Sequence, residues 1–495
     1  MVKLNTLIKT LDEFKWYGLD TDLEINSICC DSKTVVPGCL FICLRGSRTD
    51  GHNYVNEAIE KGAVAVLTEK KLDINENKVV IQVANSRKSL GPLAAAFYDF
   101  PSSRLNITGI TGTNGKTTTS FMIHSIFRQI QIPAGILGTV GCRIGEKKLM
   151  LKLTTPEALE IQKILHEMVQ EGITHVVMEV SSHGLDLHRV KGINFKTAVF
   201  TNITMGEHLD YHKTFENYLQ AKLKLFQMVE AADGIGIFNR DDPNHAKLFG
   251  ENGKKRIFYG IDNKADIMAS RIKTSISGTR FLMHTPSGNK TCTIKIPGYY
   301  NVYNALAASS LGIAHGIDLD AIIEGLENLE GVPGRFQRID QNQNFAVIVD
   351  YAHTSDALSK LLNAARGCNP KKLITIFGCG GDRDPSKRPE MGRIATELSD
   401  HVFVTTDNCR SELPPKIIND IIQGMHKNNY KTIPDREEAI CTALKMAEEG
   451  DMVVIAGKGH ETYQIFNDRV THFDDREVCR RILNNLGYKE KTSEP

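Results

Sequence analysis

The stretch Leu105-Asn106-Ile107-Thr108-Gly109-Ile110-Thr111-Gly112-Thr113-Asn114-Gly115-Lys116-Thr117-Thr118-Thr119 puts an apolar run, a glycine-rich turn and the start of a helical pattern in that order. This is the context a phosphate-binding loop needs. Glycines let backbone N–H groups converge on phosphate oxygens, the helix N-terminus adds its positive dipole end, a lysine reaches the terminal phosphates and a hydroxyl can ligate Mg²⁺. Gly112, Thr113, Asn114, Gly115, Lys116, Thr117 and Thr118 are therefore the expected phosphate contacts. A decorative glycine turn would not require strand, glycines, Lys-Thr and helix to coincide.

Outward from this loop the pattern continues. THVVMEVSS, FKTAVFTNIT and GIGIFNRDD read as apolar strands separated by helices, and FAVIVDYAH, KLITIFGCGG, HVFVTTDN and MVVIAGKGH repeat the alternation further on. Strands alternating with helices imply an α/β fold, here a central phosphate-loop type, mostly parallel sheet flanked by helices and a Rossmann-like C-terminal unit. Ahead of the loop, CLFICLRG and AVAVLTE read as strands of a smaller α/β unit ending near Phe100-Pro101-Ser102. The 495 residues divide, at about 150 per domain, into three. We place them at 1–102, 103–332 and 333–495, the second break falling at Gly331-Val332-Pro333-Gly334, with a frayed tail KEKTSEP.

Composition narrows the class. Lys+Arg number 60 against 59 Asp+Glu, a net charge of +1, so no global field draws the chain to nucleic acid or an anionic membrane. Any anion must be held locally. Neither a signal peptide nor a run of about 18 apolar residues is visible, which points to a cytoplasmic protein. The 11 cysteines are scattered, as buried reduced thiols are, rather than spaced as a disulfide or zinc framework.

Ligands of open α/β sheets bind at the carboxyl ends of strands. Glu179 ends the strand THVVME, where an isolated buried carboxylate is costly and a Mg²⁺ ligand is not. His208, in TNITMGEHLDYH, is read as ending another strand, either as a structural imidazole or as a second metal ligand. Lys222, on an amphipathic helical pattern, is by composition a solvated charge.

The segment TGTNGKTT resembles the ATP loop of the Mur ligase superfamily, and other segments from about Asp31 to Glu461 resemble it too. The resemblance implies an ADP-forming acid–amino-acid ligase that uses ATP and Mg²⁺, activates a carboxylate as an acyl phosphate and serves peptidoglycan synthesis, as a monomer. It implies that Lys116, Glu179, His208 and Lys222 are the catalytic set, that Lys222 carries a carbamate (N6-carboxylysine), and that Thr117, Glu179, His208 and this carbamate hold metal. Asn301 and Asn304, in PGYYNVYNALAA, match the purine side of the ATP site, and Arg335, Asp350 and His353 match contacts from the C-terminal domain. Ser32, Ser47, Arg48 and Thr49, with Thr154, Thr155, Ser181 and Arg189, resemble the grip on a UDP-MurNAc-dipeptide. The N-terminal set argues against the folylpolyglutamate branch, which lacks that domain.

Arg383, Asp407, Asn408, Cys409, Arg410, Gly457 and Glu461 match the loops that bind the incoming amino acid. Members that add meso-diaminopimelate carry Asp-Asn-Pro-Arg there, the arginine taking a distal carboxylate that lysine does not possess. Arg410 is kept while Cys409 replaces proline, Leu187 stands where many members have glutamine, and Met205-Gly206-Glu207-His208-Leu209-Asp210 is longer than the usual Asp-His-Leu-Asp. Lysine addition, or another acceptor in a specialised pathway, stays open at this level. So does a nucleotide-binding protein without turnover, which acceptor- and amine-dependent phosphate release would exclude.

Overall fold

The computed structural model describes residues 1–18, 22–46, 49–72, 78–248 and 255–489. The chain builds three larger sheets in sequence order, and the middle one holds the phosphate loop. Of the residues expected to bind or to fray, Ser47, Arg48 and most of the tail lie outside the described residues.

The middle sheet has eleven strands, with Asn106–Thr111 between His175–Glu179 and Phe195–Phe200, both parallel to it. Parallel strands covered on both faces are near-continuously apolar, and all but the first residue of Asn106–Thr111 is buried. Helix Lys116–Gln129 comes directly after it and packs on helices Tyr299–Ala314 and Leu319–Glu327. Ile110, Phe121, Ile126, Val302 and Leu306 share that core. Helix Phe215–Ala231 covers the opposite face through Leu225, Phe226 and Val229.

Beyond Arg256–Gly260 the sheet continues into Ile267–Ser275, Gly278–Thr285 and Gly288–Ile294, the last two joined antiparallel. This extension is absent from the strand-helix alternation legible in sequence. Its strands alternate buried and exposed residues, as a sheet wet on one face does.

The first unit is a five-stranded sheet running from Lys15–Tyr17 to Ser27–Cys29. The last is a six-stranded sheet whose strands Ala346–Asp350, Met452–Ala456, Leu373–Phe377, His401–Val404 and Tyr430–Thr432 are all parallel, with Gln337–Ile339 antiparallel at one edge. Their carboxyl ends carry Asp350, Gly457, Gly378 and Asp407, which gathers these loops at one end of the sheet. All eleven cysteines are free thiols. No helix among the described residues is long and apolar enough to cross a membrane.

Candidate active site

At the end of Asn106–Thr111 the backbone turns through Gly112 (φ +156°) and Gly115 (φ +88°). Neither place has room for a side chain, since a Cβ at Gly112 would lie 1.9 Å from Thr201 Oγ1 and one at Gly115 2.4 Å from Asn304 Oδ1. The turn is held from the neighbouring strand's loop. Thr113 N–H donates to the Asn202 carbonyl at 2.8 Å and Asn114 N–H to Asn202 Oδ1 at 3.0 Å. The turn leads into the N-terminus of a 14-residue helix, whose first N–H groups have no intrahelical acceptor and face the cleft. Lys116 Nζ donates to the Gly112 and Thr113 carbonyls at 2.8 and 2.9 Å, so its ammonium rests over the turn. Desolvation there pushes the amine down to about 8, opposed by Glu179 and assisted by Arg335.

Glu179, buried at its strand end, accepts from the Thr117 hydroxyl at 3.0 Å and from the Thr139 N–H and hydroxyl at 3.0 and 2.9 Å. Thr139 Oγ1 in turn lies 3.0 Å from Thr154 Oγ1. Thr155 Oγ1 donates to the Glu179 carbonyl and accepts from Ser181 N–H. Arg189 donates to the Thr155 carbonyl at 3.1 Å and pairs with Glu157 at 3.1 Å. Glu157 also pairs with Arg87, which donates to the Arg45 carbonyl, so the loop carrying Thr49 is tied to Arg189 through two ion pairs. Ser32 is buried and donates to Glu57 at 3.0 Å.

His208 does not end a strand. Phe195–Phe200 stops eight residues earlier, and His208 caps the short helix Leu209–His212 with φ +59°. Its ring lies 5.3 Å from that of His183 and 5.5 Å from that of Tyr218. Lys222 is not solvated either. It is buried, its Nζ 4.5 Å above the Tyr218 ring, and burial, with Lys116 adding to it, holds its amine well below the usual lysine range. It stands on the buried side of Phe215–Ala231 with Tyr218, Leu219, Leu225 and Phe226, where the charge of a lysine alone would not place it. Among the described residues no three His, Cys, Asp or Glu side chains converge as a ready-made ion site. The donors here suit Mg²⁺, which takes one or two carboxylates and completes its shell with phosphate and water.

Opposite the phosphate loop stands the C-terminal unit. Arg335 donates to Thr117 Oγ1 at 3.3 Å and lies 4.5 Å over the Tyr351 ring. Asp350 is buried and fixes the segment by accepting from Phe336 N–H at 2.6 Å and Ala352 N–H at 2.8 Å. The His353 ring lies 2.7 Å from the Tyr351 carbonyl through Nδ1. Lys116, Thr117, Glu179, Thr154, Ser181, Asn301, Asn304, Arg335, Asp350 and His353 line one cavity of about 800 Å³. Asn301 and Asn304 sit in its wall with their amides bonded to each other at 2.9 Å.

The loops expected to take the amino acid form a second cluster behind Tyr351, whose ring is 5.0 Å from His460. Asn408 Nδ2 donates to Glu461 Oε2 at 2.9 Å. Arg410, at φ +51°, donates from Nη1 to the Gly381 and Asn408 carbonyls at 2.7 and 3.3 Å. Cys409 is buried beneath them, its thiol pushed up to about 11 by burial and by Asp407, so it fills proline's place as an inert apolar group. Arg383 is exposed at the loop rim.

Residues 24–98 match the Mur ligase family catalytic domain, 110–312 the Mur ligase middle domain and 334–459 the Mur ligase glutamate ligase domain. A protein of Syntrophomonas wolfei subsp. wolfei named UDP-N-acetylmuramoyl-L-alanyl-D-glutamate--2,6-diaminopimelate ligase is 45% identical over 97% of this chain and 99% of its own. One of the same name from Bacillus licheniformis is 43% identical over 98% and 100%. The chain belongs to the Mur ligase family. It is an ATP-dependent ligase. A solved structure titled as the 2,6-diaminopimelate ligase superposes with a TM-score of 0.69 at 30% identity, covering 98% of this chain and 99% of that one.

Several residues of this Mur ligase site escape sequence reasoning. Thr139 anchors Glu179, Tyr218 OH lies 2.9 Å from Thr113 Oγ1, and Asp356, itself paired with Lys360, meets Asn114 of the phosphate loop from across the cleft. Thr139 comes just after a strand and Asp356 opens a helix, positions that hint at a loop role. Their partners are distant in sequence and leave no local signal.

Proposed function

We propose that this ligase joins meso-diaminopimelate to UDP-MurNAc-L-alanyl-D-glutamate, with ATP as co-substrate, in making the peptidoglycan precursor. The single cavity in which phosphate loop, Glu179, Thr154, Ser181 and Arg335 meet carries the reading: a nucleotide's terminal phosphate and an incoming acid would be held face to face. In this reading the unit 1–102 takes the UDP moiety, 103–332 the nucleotide and 333–495 the amino acid, and a monomer in the cytoplasm suffices.

The acceptor carboxylate attacks the γ-phosphorus in line, and the P–O bond to ADP breaks. Lys116 and the helix N–H groups stabilise the charge that spreads over the phosphoryl oxygens. Mg²⁺, held by the Thr117 hydroxyl and the Glu179 carboxylate, would supply further positive charge there. Lys222, whose amine burial and Lys116 hold well below the usual lysine range, is an amine of the kind that adds CO₂, and its carbamate with His208 would offer donors for a second ion. Arg335 and Tyr351 close the cleft against water, which the acyl phosphate requires. The deprotonated amine then attacks the acyl carbon, and the tetrahedral adduct expels phosphate to leave an amide.

Selection of the amine comes from Arg410 and Glu461. Their charges fit a distal carbon bearing both carboxylate and ammonium, which diaminopimelate has and lysine lacks. The test is purified protein with ATP, Mg²⁺ and UDP-MurNAc-L-Ala-D-Glu, given diaminopimelate or lysine separately, with product mass recorded. A diaminopimelate adduct with ADP and phosphate is expected. No adduct from either amine would overturn the reading.

A further inference from the structure

Lys458 has no part in the ligation chemistry, yet it is completely buried. Burying an ammonium costs several kcal/mol unless it is paired and bonded, so its surroundings indicate its use. Nζ donates to Glu461 Oε2 and Asn408 Oδ1, each at 3.3 Å, and lies 5.6 Å from the Tyr463 ring centre. Asn408 Oδ1 also accepts from Ile465 N–H at 3.0 Å, which fixes the amide so that its NH₂ donates to the same Glu461 oxygen. Lysine, asparagine and glutamate form a closed triangle under the amino-acid loops.

The groups facing Glu461 oppose one another. Burial and the Asp407 carboxylate push its carboxyl above the ordinary range, while Lys458 and Asn408 pull it back down. The Tyr463 and Tyr351 side chains also stand near it. Without Lys458 the balance shifts to a neutral acid, which could not hold an ammonium.

We infer that Lys458 is a positioning residue that keeps Glu461 an anion aimed at the distal ammonium of the amino acid, and thereby sets how far into acid the ligase can capture that substrate. The inference rests on the proposed amino-acid site. Lys458 touches no substrate and acts through its neighbour.

The test uses the full chain with saturating ATP and UDP-MurNAc-dipeptide, varying diaminopimelate from about pH 5, close to an ordinary glutamate, to about pH 9. Lys458→Gln should move the acid limb of kcat/KM for diaminopimelate upward by about one pH unit or more, a tenfold change in ionised fraction. KM for ATP should stay put. In a Glu461→Gln background the same change should do little, since the two act as one unit. Lys458→Met provides the same comparison if the glutamine variant does not fold. Limbs that coincide with wild type, or losses that multiply in the double variant, would overturn the inference. Absence of diaminopimelate-dependent turnover in the wild-type protein would instead overturn the substrate reading.

Discussion

The Asn114 amide, in the phosphate loop, donates to the Asp356 carboxylate of the C-terminal unit at 2.7 Å, across a separation of 242 residues. The same oxygen receives the Thr204 hydroxyl at 3.3 Å and Lys360 at 2.7 Å. Asp356 therefore ties the phosphate loop to the helix Ser355–Gly367, which lies just beyond Asp350 and His353. A hydrogen bond to a charged group contributes about 1.5–3 kcal/mol, so Asp356→Ala should reduce the closed population roughly ten- to hundredfold. We expect kcat to fall accordingly, with a normal melting curve and a larger radius of gyration in solution scattering. Unchanged kcat would show that closure does not depend on this bond.

Gly115→Ala tests the phosphate loop without touching its lysine. The left-handed backbone costs an alanine about 1–2 kcal/mol, and its Cβ would press within 2.4 Å of Asn304 Oδ1. Since Asn304 is buried against Asn301, relief has to come from the loop. Calorimetric titration should show nucleotide affinity lost by tenfold or more, roughly the equivalent of that strain, while the melting temperature changes by only a few degrees, as about 1 kcal/mol implies.

The phosphate loop is legible in the sequence because strand, glycine turn and helix are contiguous, and each carries its own local signal. The parallel strands ending in Glu179, Asp350 and Ala456 are legible for the same reason. Lys222 is not. Its spacing from Tyr218, Leu225 and Phe226 puts it on the buried face of its helix, but a lone lysine charge reads as solvated. His208 itself is misplaced by its sequence because the apolar run FKTAVFTNIT gives no sign that pairing stops at Phe200. The antiparallel extension from Gly278 to Ile294 escapes notice because half-exposed strands such as Gly288–Ile294 carry polar residues that resemble loop composition. Asp356, Thr139 and Lys458 lie in or beside segments with visible motifs, but what they touch is decided by tertiary packing.

Acid should loosen the loops around Gly380 and Glu412 through one pair. Arg388 is buried and donates to both oxygens of Glu412, to Asp420 and to the Gly380 carbonyl, while Glu412 accepts from Asp382 N–H. Arg388 holds the Glu412 carboxyl down to about 2, against about 4.3 for an unfolded glutamate. A depressed folded-state value means the pair's stabilisation is fully present above about 4.3 and is lost as pH falls toward 2. The melting temperature of wild type should exceed that of Glu412→Gln at neutral pH, and the gap should shrink on acidification below about pH 4.5. A gap independent of pH would mean that packing, not charge, sustains it.

A second buried pair supports the same loops from behind. Arg436 and Asp475 are both inaccessible to solvent and meet through two bonds of 2.8 Å. Arg436 also donates to the Thr406 and Ala456 carbonyls at 3.2 and 3.0 Å. Those carbonyls immediately precede Asp407 and Gly457, so one guanidinium pins the points where both of these loops leave the sheet. Removing one partner of a buried pair strands the other charge and costs about 3–5 kcal/mol. Asp475→Ala should lower the unfolding free energy in urea by that amount with an unchanged slope, and raise KM for the amino acid while leaving KM for ATP alone. A loss of stability with no change in that KM would mean the loops keep their geometry without the pin.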